Sequence, residues 1–187
     1  EKIKSANSFT ASFKLVKHVP NLGDEKSEGL VKFKDKKVYV KSDDGREIFN
    51  DGKTLSVFYE EDNEVNIYTS DPEENDDFNI DKYLNNYQNE YKYVYMGTET
   101  LNGVSCHKIE LAPDKSPEEM KRMSVFKIKL YIRVSDNLLV QWQSFEKTGV
   151  YYTTSIAAFK ANVSIPDGAF VFDKSKYPGV EEIDMRD

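Results

Sequence analysis

The sequence is poor in the residues that most often form catalytic or metal sites. It has one cysteine, Cys106, and two histidines, His18 and His107, among 187 residues. A single cysteine cannot form an internal disulfide, and no histidine cluster accompanies it to bind a metal ion. His107 directly follows Cys106, so in a strand the two side chains point to opposite faces and cannot form a nucleophile–base pair. No nucleophile-elbow, dinucleotide or zinc-protease motif occurs. We therefore expect no enzymatic activity, no cofactor and no metal.

The chain also lacks an excess of basic charge and any long apolar segment. Its 26 Lys and Arg stand against 33 Asp and Glu, a formal net charge of −7. Nucleic-acid binding requires a basic face, so we expect no nucleic-acid partner. No run approaches the roughly 18 apolar residues of a membrane-spanning helix. The sequence begins at Glu1 without an initiator Met or an apolar signal core, so we expect that a preceding targeting segment was removed or not included.

Aromatic residues, in contrast, are plentiful. They make up 13% of the chain, with 12 Tyr and 11 Phe, a content that excludes disorder for most of its length. No linker, repeat or low-complexity tract divides the sequence, which predicts one domain over residues 1–187. The acidic stretch 71–77 and the carboxylates near it resemble a calcium loop only in part, because Lys82 occupies the position that requires Gly. We interpret this stretch as a solvated loop.

The dominant period of the sequence is two, which is typical of half-buried β-strands. Asn102-Gly103, between two such runs, is a strong hairpin signal. Ser116-Pro117-Glu118-Glu119 predicts the start of a short helix, and residues 1–7 and 81–87 are weaker helix candidates. About eleven or twelve strands joined in an antiparallel meander are expected. The predicted strands cover residues 9–15, 28–34, 37–42, 46–50, 53–60, 64–70, 91–99, 103–112, 126–133, 138–146, 150–160 and 169–173.

Several of these strands are apolar on both faces. Leu55, Val57 and Tyr59 alternate with Phe58, for example. Ordinary packing of the sheet against helices explains this pattern, and so does a curved sheet around an apolar cavity that its own side chains do not fill. The residues alone leave both explanations open.

Particular segments resemble the LolA family, periplasmic carriers of outer-membrane lipoproteins in Gram-negative bacteria. The run from Asn50 to Leu55, followed by Phe58-Tyr59, is similar to a hairpin of that family. Phe9–Phe13 resembles its first strand, and Glu28-Gly29-Leu30 with Lys34 its second. The closing pattern of the family resembles the segments 162–166, 170–173, 176–180 and 183–184. Together these segments extend over nearly the whole chain.

The resemblance implies a mainly β fold: a half-open antiparallel β-barrel of about 11 strands, with a few short helices covering an apolar cavity for acyl chains. It also implies a monomeric carrier chaperone in the periplasm, with a signal peptide that is not part of this sequence. Its partners would be acylated lipoproteins, an inner-membrane lipoprotein-releasing transporter and an outer-membrane acceptor. The alternatives are a membrane-anchored acceptor or lipid-sensing regulator of the same fold, or a binder of other hydrophobic small molecules.

The chain departs from the family at two places. Ser56 stands where an aromatic residue is frequent, and Asp35 stands where well-studied carriers have a functional Arg. Lys36 or Lys37 could replace that Arg, although Lys lacks its planar fork. We therefore expect a polar rim of Lys34, Lys36 and Lys37.

Parity along the strands predicts which side chains line the acyl-chain cavity. The reference is the strand at 126–133, whose apolar residues alternate cleanly. The predicted lining residues are Phe13, Leu15, Leu55, Val57, Tyr59, Val65, Ile67, Phe126, Ile128, Leu130, Ile132, Val140 and Trp142. For the tail we expect residues 177–187 to be dispensable for folding, because no hairpin partner follows Phe172.

Overall fold

The computed structural model describes residues 6–70 and 91–186, and their fold is mainly β. Twelve strands form one sheet in the order β12-β6-β5-β4-β3-β2-β1-β11-β10-β9-β8-β7, open between β12 and β7. The strands are Ser8–Val19 (β1), Gly23–Lys34 (β2), Lys37–Ser42 (β3), Arg46–Asn50 (β4), Thr54–Tyr59 (β5), Glu64–Thr69 (β6), Tyr91–Leu101 (β7), Val104–Pro113 (β8), Val125–Arg133 (β9), Leu139–Glu146 (β10), Tyr151–Ala161 (β11) and Glu181–Asp184 (β12). The predicted fold class is confirmed. The acidic stretch 71–77, the helix candidate 81–87 and most of the candidate at 1–7 lie outside the described residues.

Tight turns set the register of the meander. Asn102 and Gly103 have φ angles of 49° and 81° between β7 and β8, as the hairpin signal predicts. Asp35 and Lys36 have φ angles of 50° and 69° between β2 and β3. Two-residue turns of this kind match the twist of the flanking strands, and β7 pairs antiparallel with β8, as β2 does with β3.

The predicted helix is confirmed as α1, Pro117–Arg122. Ser116 accepts a hydrogen bond from the Glu119 backbone N–H, and the Glu119 carboxylate accepts one from the Ser116 backbone N–H. This capping box satisfies two backbone donors of the first turn, and Pro117 occupies a position where its missing N–H costs nothing.

The C-terminal segment differs from its prediction. Residues 169–173 are not a strand, because Asp167–Phe170 form a 3₁₀-helix and Lys174–Lys176 form a second one. The chain then re-enters the sheet as β12, which pairs parallel with β6. The alternation of Phe170 and Phe172 predicted a strand. In the structure Phe170 is the last residue of the first 3₁₀-helix, and its side chain is buried.

The described residues fall into two compact units. The first unit contains residues 14–26 and 91–157, and the second contains residues 6–13, 27–70 and 158–186. In the second unit, Phe58, Val65 and Val180 form a buried cluster against which Ile67, Phe172 and Tyr177 pack. In the first unit, Leu111, Ile128 and Leu139 are each at most 2% exposed. The expectation of one domain stays a prediction.

Candidate functional site

One face of the second unit carries a row of β-branched side chains that crosses six strands. Residues that pair directly across neighbouring strands point to the same face of a sheet. The register from β2 through β3, β4, β5 and β6 to β12 therefore aligns six side chains, which we call the apolar row: Val31, Val40, Ile48, Val57, Asn66 and Ile183. Five are aliphatic and one is a carboxamide.

A second row on the same face adds further apolar surface. Phe33 pairs with Val38, and Leu55 pairs with Tyr68. The Phe9 ring stacks on Phe33 with centroids 5.1 Å apart. Ile48, Leu55 and Val57 are only half-buried, and Tyr59 is exposed. This face therefore combines a packed part with apolar side chains that remain partly open.

The predicted lining residues of the second unit do not all share this face. Leu55, Val57 and Tyr59 do, and Phe13 has the same strand parity as Phe9. Val65 and Ile67 do not, because they pair with Phe58 and Ser56 on the opposite face. The prediction that these two residues lie beside Leu55 and Val57 is wrong: the turn between β5 and β6 sets a register that parity within a single strand cannot reveal.

The opposite face of the second unit is covered by the C-terminal segment 165–184, which we call the strap. The Tyr177 ring lies 4.5 Å from Phe58 and 4.7 Å from Phe172, centroid to centroid. Phe172 in turn contacts the edge of Phe49 at 5.6 Å. These aromatic contacts bury one face of the sheet and leave the apolar row on the other.

Glu47 is buried beneath the strap, and three hydrogen bonds satisfy its carboxylate. Tyr39 donates to Oε2 at 2.6 Å, Lys41 donates to Oε1 at 2.8 Å, and Tyr177 donates to Oε2 at 3.2 Å. Burial opposes ionisation, but hydrogen bonds from Lys41, Tyr39 and Tyr177 together hold the pKa of Glu47 below its ordinary value. Burial, and then the neighbouring Glu47, raise the pKa of Tyr177 to about 12. Sequence reasoning missed this cluster, since Tyr177 lies 130 residues from Glu47 along the chain.

The first unit has its own apolar face, formed by β8, β9 and β10. Trp142 pairs with Leu130, which pairs with Ile109, and Ile128 pairs with Leu111. The predicted residues Ile128, Leu130, Ile132 and Trp142 therefore share one face. Leu130 is 4% exposed, whereas Trp142 is half-buried.

Two predicted lining residues of the first unit fall at β-bulges. The register between β10 and β9 shifts between Leu139 and Gln141, so Leu139, not Val140, lies opposite Ile132. A second shift, between Phe145 and Glu146, leaves Phe126 without a direct partner and 38% exposed. Strict alternation fails here because each bulge inserts one residue and changes the parity beyond it. Leu15 belongs to the first unit and is half-buried.

The opposite face of the first unit is polar and aromatic. Lys127 and Lys129 lie over the Phe145 ring, at 4.7 and 4.9 Å from its centroid. The Gln143 amide donates to Thr153 Oγ1 at 3.2 Å. The two faces of this sheet therefore differ clearly in polarity, as the alternation in β9 predicts.

Two of the three predicted rim lysines converge on the strap. Lys34 and Lys37 form ion pairs with Asp167 at 2.9 and 3.2 Å, and Lys34 also donates to the Ile165 carbonyl at 3.1 Å. Hydrogen bonds from these lysines hold the pKa of Asp167 below its ordinary range. Lys36, at the tip of the turn, is exposed. Lys34 and Lys37 thus link the sheet to the strap, and Asp35 does not take part in these ion pairs.

The remaining chemistry-bearing residues show no cluster suited to catalysis or metal binding. Cys106 is fully buried, and burial raises the pKa of its thiol. Within residues 6–70 and 91–186, no group of three or more His, Cys, Asp and Glu side chains could hold a metal ion. The helices of these same ranges include none of the length and apolarity needed to cross a membrane.

No model of a known protein family matches the chain. A curated relative, an uncharacterised protein of Methanocaldococcus jannaschii, is 30% identical over 141 residues. The match covers 74% of this chain and 38% of that protein, so the chain spans well under half the length of its relative. The relative is uncharacterised, so the match indicates no function.

Solved structures resemble the chain over almost its full length. An uncharacterised conserved protein of Thermus thermophilus has a TM-score of 0.62 at 10% identity, with 98% of this chain and 93% of that chain covered. A DUF1329 family protein of Desulfovibrio piger has a TM-score of 0.50 at 13% identity, with 94% and 93% covered. A LolA superfamily protein of Nitrosomonas europaea has a lower TM-score of 0.45 at 13% identity, with 90% of this chain and 92% of that chain covered.

The chain shares its fold with the Thermus thermophilus and Desulfovibrio piger proteins. The open antiparallel sheet, the short helices and the returning C-terminal strand are the features that define it here. At identities of 10 to 13%, the structural likenesses extend to the fold and not to the function.

Proposed function

We propose that the chain is an extracytoplasmic carrier that binds the acyl chains of lipoproteins on its apolar faces. The observation that carries the proposal is the apolar row of the second unit, whose members Ile48 and Val57 remain half-buried while the strap packs on the opposite face. A sheet stabilised on one face by its own tail keeps the other face for a ligand.

The physical task of such a carrier is to shield hydrocarbon from water. Each acyl CH₂ removed from water contributes roughly 0.8 kcal/mol, so a free triacylated protein would aggregate or insert into the nearest membrane. Aliphatic and aromatic side chains meet this need without directional bonds. The task therefore needs no bond-making step and no catalytic group.

Transfer is the finer part of the proposal. The carrier receives the acyl chains from an inner-membrane transporter, crosses the periplasm, and yields them to an outer-membrane acceptor that binds them more tightly. The sequence resemblance to the LolA family supports this direction. A membrane-anchored acceptor of the same fold, or a carrier of other hydrophobic molecules, would bind acyl chains or sterols without onward delivery, and an acceptor-transfer assay separates these outcomes.

Substitutions on the apolar faces test the binding step. Val57→Glu and Leu130→Glu each place a carboxylate among apolar side chains without a partner, which opposes burial of an acyl chain. We expect either change to weaken binding of a fluorescent C12 fatty acid at least tenfold. Because Leu130 is buried, a thermal melt must accompany its variant, whereas Val57 is half-buried and its variant should fold.

Lys129→Glu is the matched control for these variants. Lys129 is adjacent to Leu130 in β9 but lies on the polar face, so the same carboxylate there should leave binding unchanged. Binding of the C12 probe by folded Val57→Glu protein with unchanged affinity would count against the proposed ligand face.

A further inference from the structure

Asn66 is the polar exception in the apolar row. Its direct neighbours across the sheet are Val57 on β5 and Ile183 on β12. Its Oδ1 atom is shielded from solvent and accepts no hydrogen bond, which holds for no other shielded side-chain N or O atom in residues 6–70 and 91–186. An unsatisfied buried acceptor is destabilising, so a Val or Leu at this position would serve the sheet better.

The position of the amide favours contact with a ligand over a role in packing. Asn66 as a whole is half-buried, and its side chain lies on the same face as the half-buried Ile48 and Val57. The torsion about the Cβ–Cγ bond of Asn is broad, so rotation can exchange the positions of the two amide atoms. A ligand lying along the apolar row therefore passes the one side chain of the row that can form hydrogen bonds.

We propose that Asn66 recognises the amide linkage of an N-acylated ligand, with Oδ1 accepting the ligand's N–H. This inference rests on the proposed function and adds a chemical class to it. A secondary amide offers one N–H and one C=O, the complement of a carboxamide in either orientation. An ester offers only acceptors, and an ionised fatty acid has no donor, so neither satisfies Oδ1.

A pair of isosteric ligands tests the proposal directly. N-methyldodecanamide and methyl dodecanoate differ in one N–H replaced by oxygen, with the same chain length. Competition against a fluorescent acyl probe on the whole chain measures both affinities. We expect wild-type protein to prefer the amide about fivefold, the ratio that one net hydrogen bond supplies. Asn66→Leu should abolish the preference, and Ile48→Leu, a volume-conserving change in the same row, should keep it.

Each outcome decides a different point. Equal affinities of wild-type protein for the amide and the ester, or a preference that survives Asn66→Leu, overturns the role of Asn66 and leaves the carrier proposal intact. Binding of neither ligand by wild-type protein overturns the carrier proposal and this inference with it. Thermal melts of the ligand-free proteins complete the test: Asn66→Leu should melt no lower than wild type, whereas a lower melting temperature would show that Asn66 is structural.

Discussion

Glu47 shows how the sheet accommodates a carboxylate beneath an aromatic strap. Three donors surround it, and one of them, Tyr177, comes from the strap. A carboxylate that has lost its hydration requires such donors, because an unpaired buried charge is strongly destabilising. Glu47 on β4 therefore binds both Tyr39 and Lys41 of β3 and Tyr177 of the strap.

Replacing Glu47 by Gln should lower the free energy of unfolding at pH 7 by about 1–3 kcal/mol. Because the folded-state pKa of Glu47 lies below the ordinary 4.5, its ionised form stabilises the protein above that pH, and this contribution is lost as the pH falls through the folded-state value. The gap between wild type and variant should therefore narrow below pH 4.5. Urea titrations from pH 7 to pH 3 measure it, with the exposed Glu61→Gln as control. A gap that is constant over this range would contradict the assignment.

Ionisation of Tyr177 should lower the stability of the protein at alkaline pH. Its pKa is raised to about 12 from an ordinary 10, so its neutral form is favoured in the folded protein. That stabilisation is complete below pH 10 and is lost as the pH rises toward 12. Wild-type protein should therefore lose stability between pH 10 and 12 more steeply than Tyr177→Phe. Tyr59→Phe, on the other face, should match the wild-type slope, and identical slopes for all three proteins would refute the prediction.

At the scale of elements, the strap is part of the sheet and not an appendage. β12 pairs with β6 from Glu181 to Asp184, and Val180, just before it, is 6% exposed. This pairing removes the basis of the expectation that residues 177–187 are dispensable for folding, which was the lack of a strand partner after Phe172. The sequence offered no hairpin partner after Phe172, and a parallel pairing across more than 110 residues leaves no local signal.

Deletion of residues 177–187 should therefore destabilise the second unit. It removes the Tyr177 ring, the buried Val180 and a whole edge strand, a loss comparable with truncating a large core aromatic, about 3–5 kcal/mol. For a chain of this size we expect a decrease in melting temperature of about 10 °C or more. Deletion of residues 185–187 removes the hydrogen bond from the Met185 N–H to the Ile67 carbonyl and the exposed contacts of Arg186 with Asp184, and should have little effect. Equal melting temperatures of the two truncated proteins would contradict this account of the strap.

The sequence predicted elements well where their signals were local. Twofold alternation, the Asn102-Gly103 turn and the helix start at Ser116 each depend on neighbouring residues, and each is confirmed. The faces were predicted less well. The sequence pattern assigned Val65 and Ile67 to the wrong face because it does not reveal the register between β5 and β6. It assigned Val140 wrongly because a bulge changes the parity of β10 at that residue. No local sequence pattern singles out Asn66 or Glu47. Glu47 is notable for its hydrogen-bond donors on β3 and the strap, and Asn66 for an amide oxygen that has no donor.

For the whole molecule, each unit has one apolar face and one face that is already occupied or polar. In the second unit the strap covers the face opposite the apolar row. In the first unit lysines and glutamines occupy the face opposite Leu130 and Trp142. A carrier needs this division, since apolar side chains committed to folding cannot also bind hydrocarbon.

The most direct test of the central claim is native mass spectrometry of the protein purified without detergent from an extracytoplasmic fraction. We predict species heavier than the 21.6 kDa chain by the mass of an acylated peptide or protein, with acyl chains released on hydrolysis. Val57→Glu protein prepared in the same way should lack these species. Wild-type protein that carries only a free sterol or pigment, or that carries nothing and takes up no acylated peptide when offered it, would contradict the account.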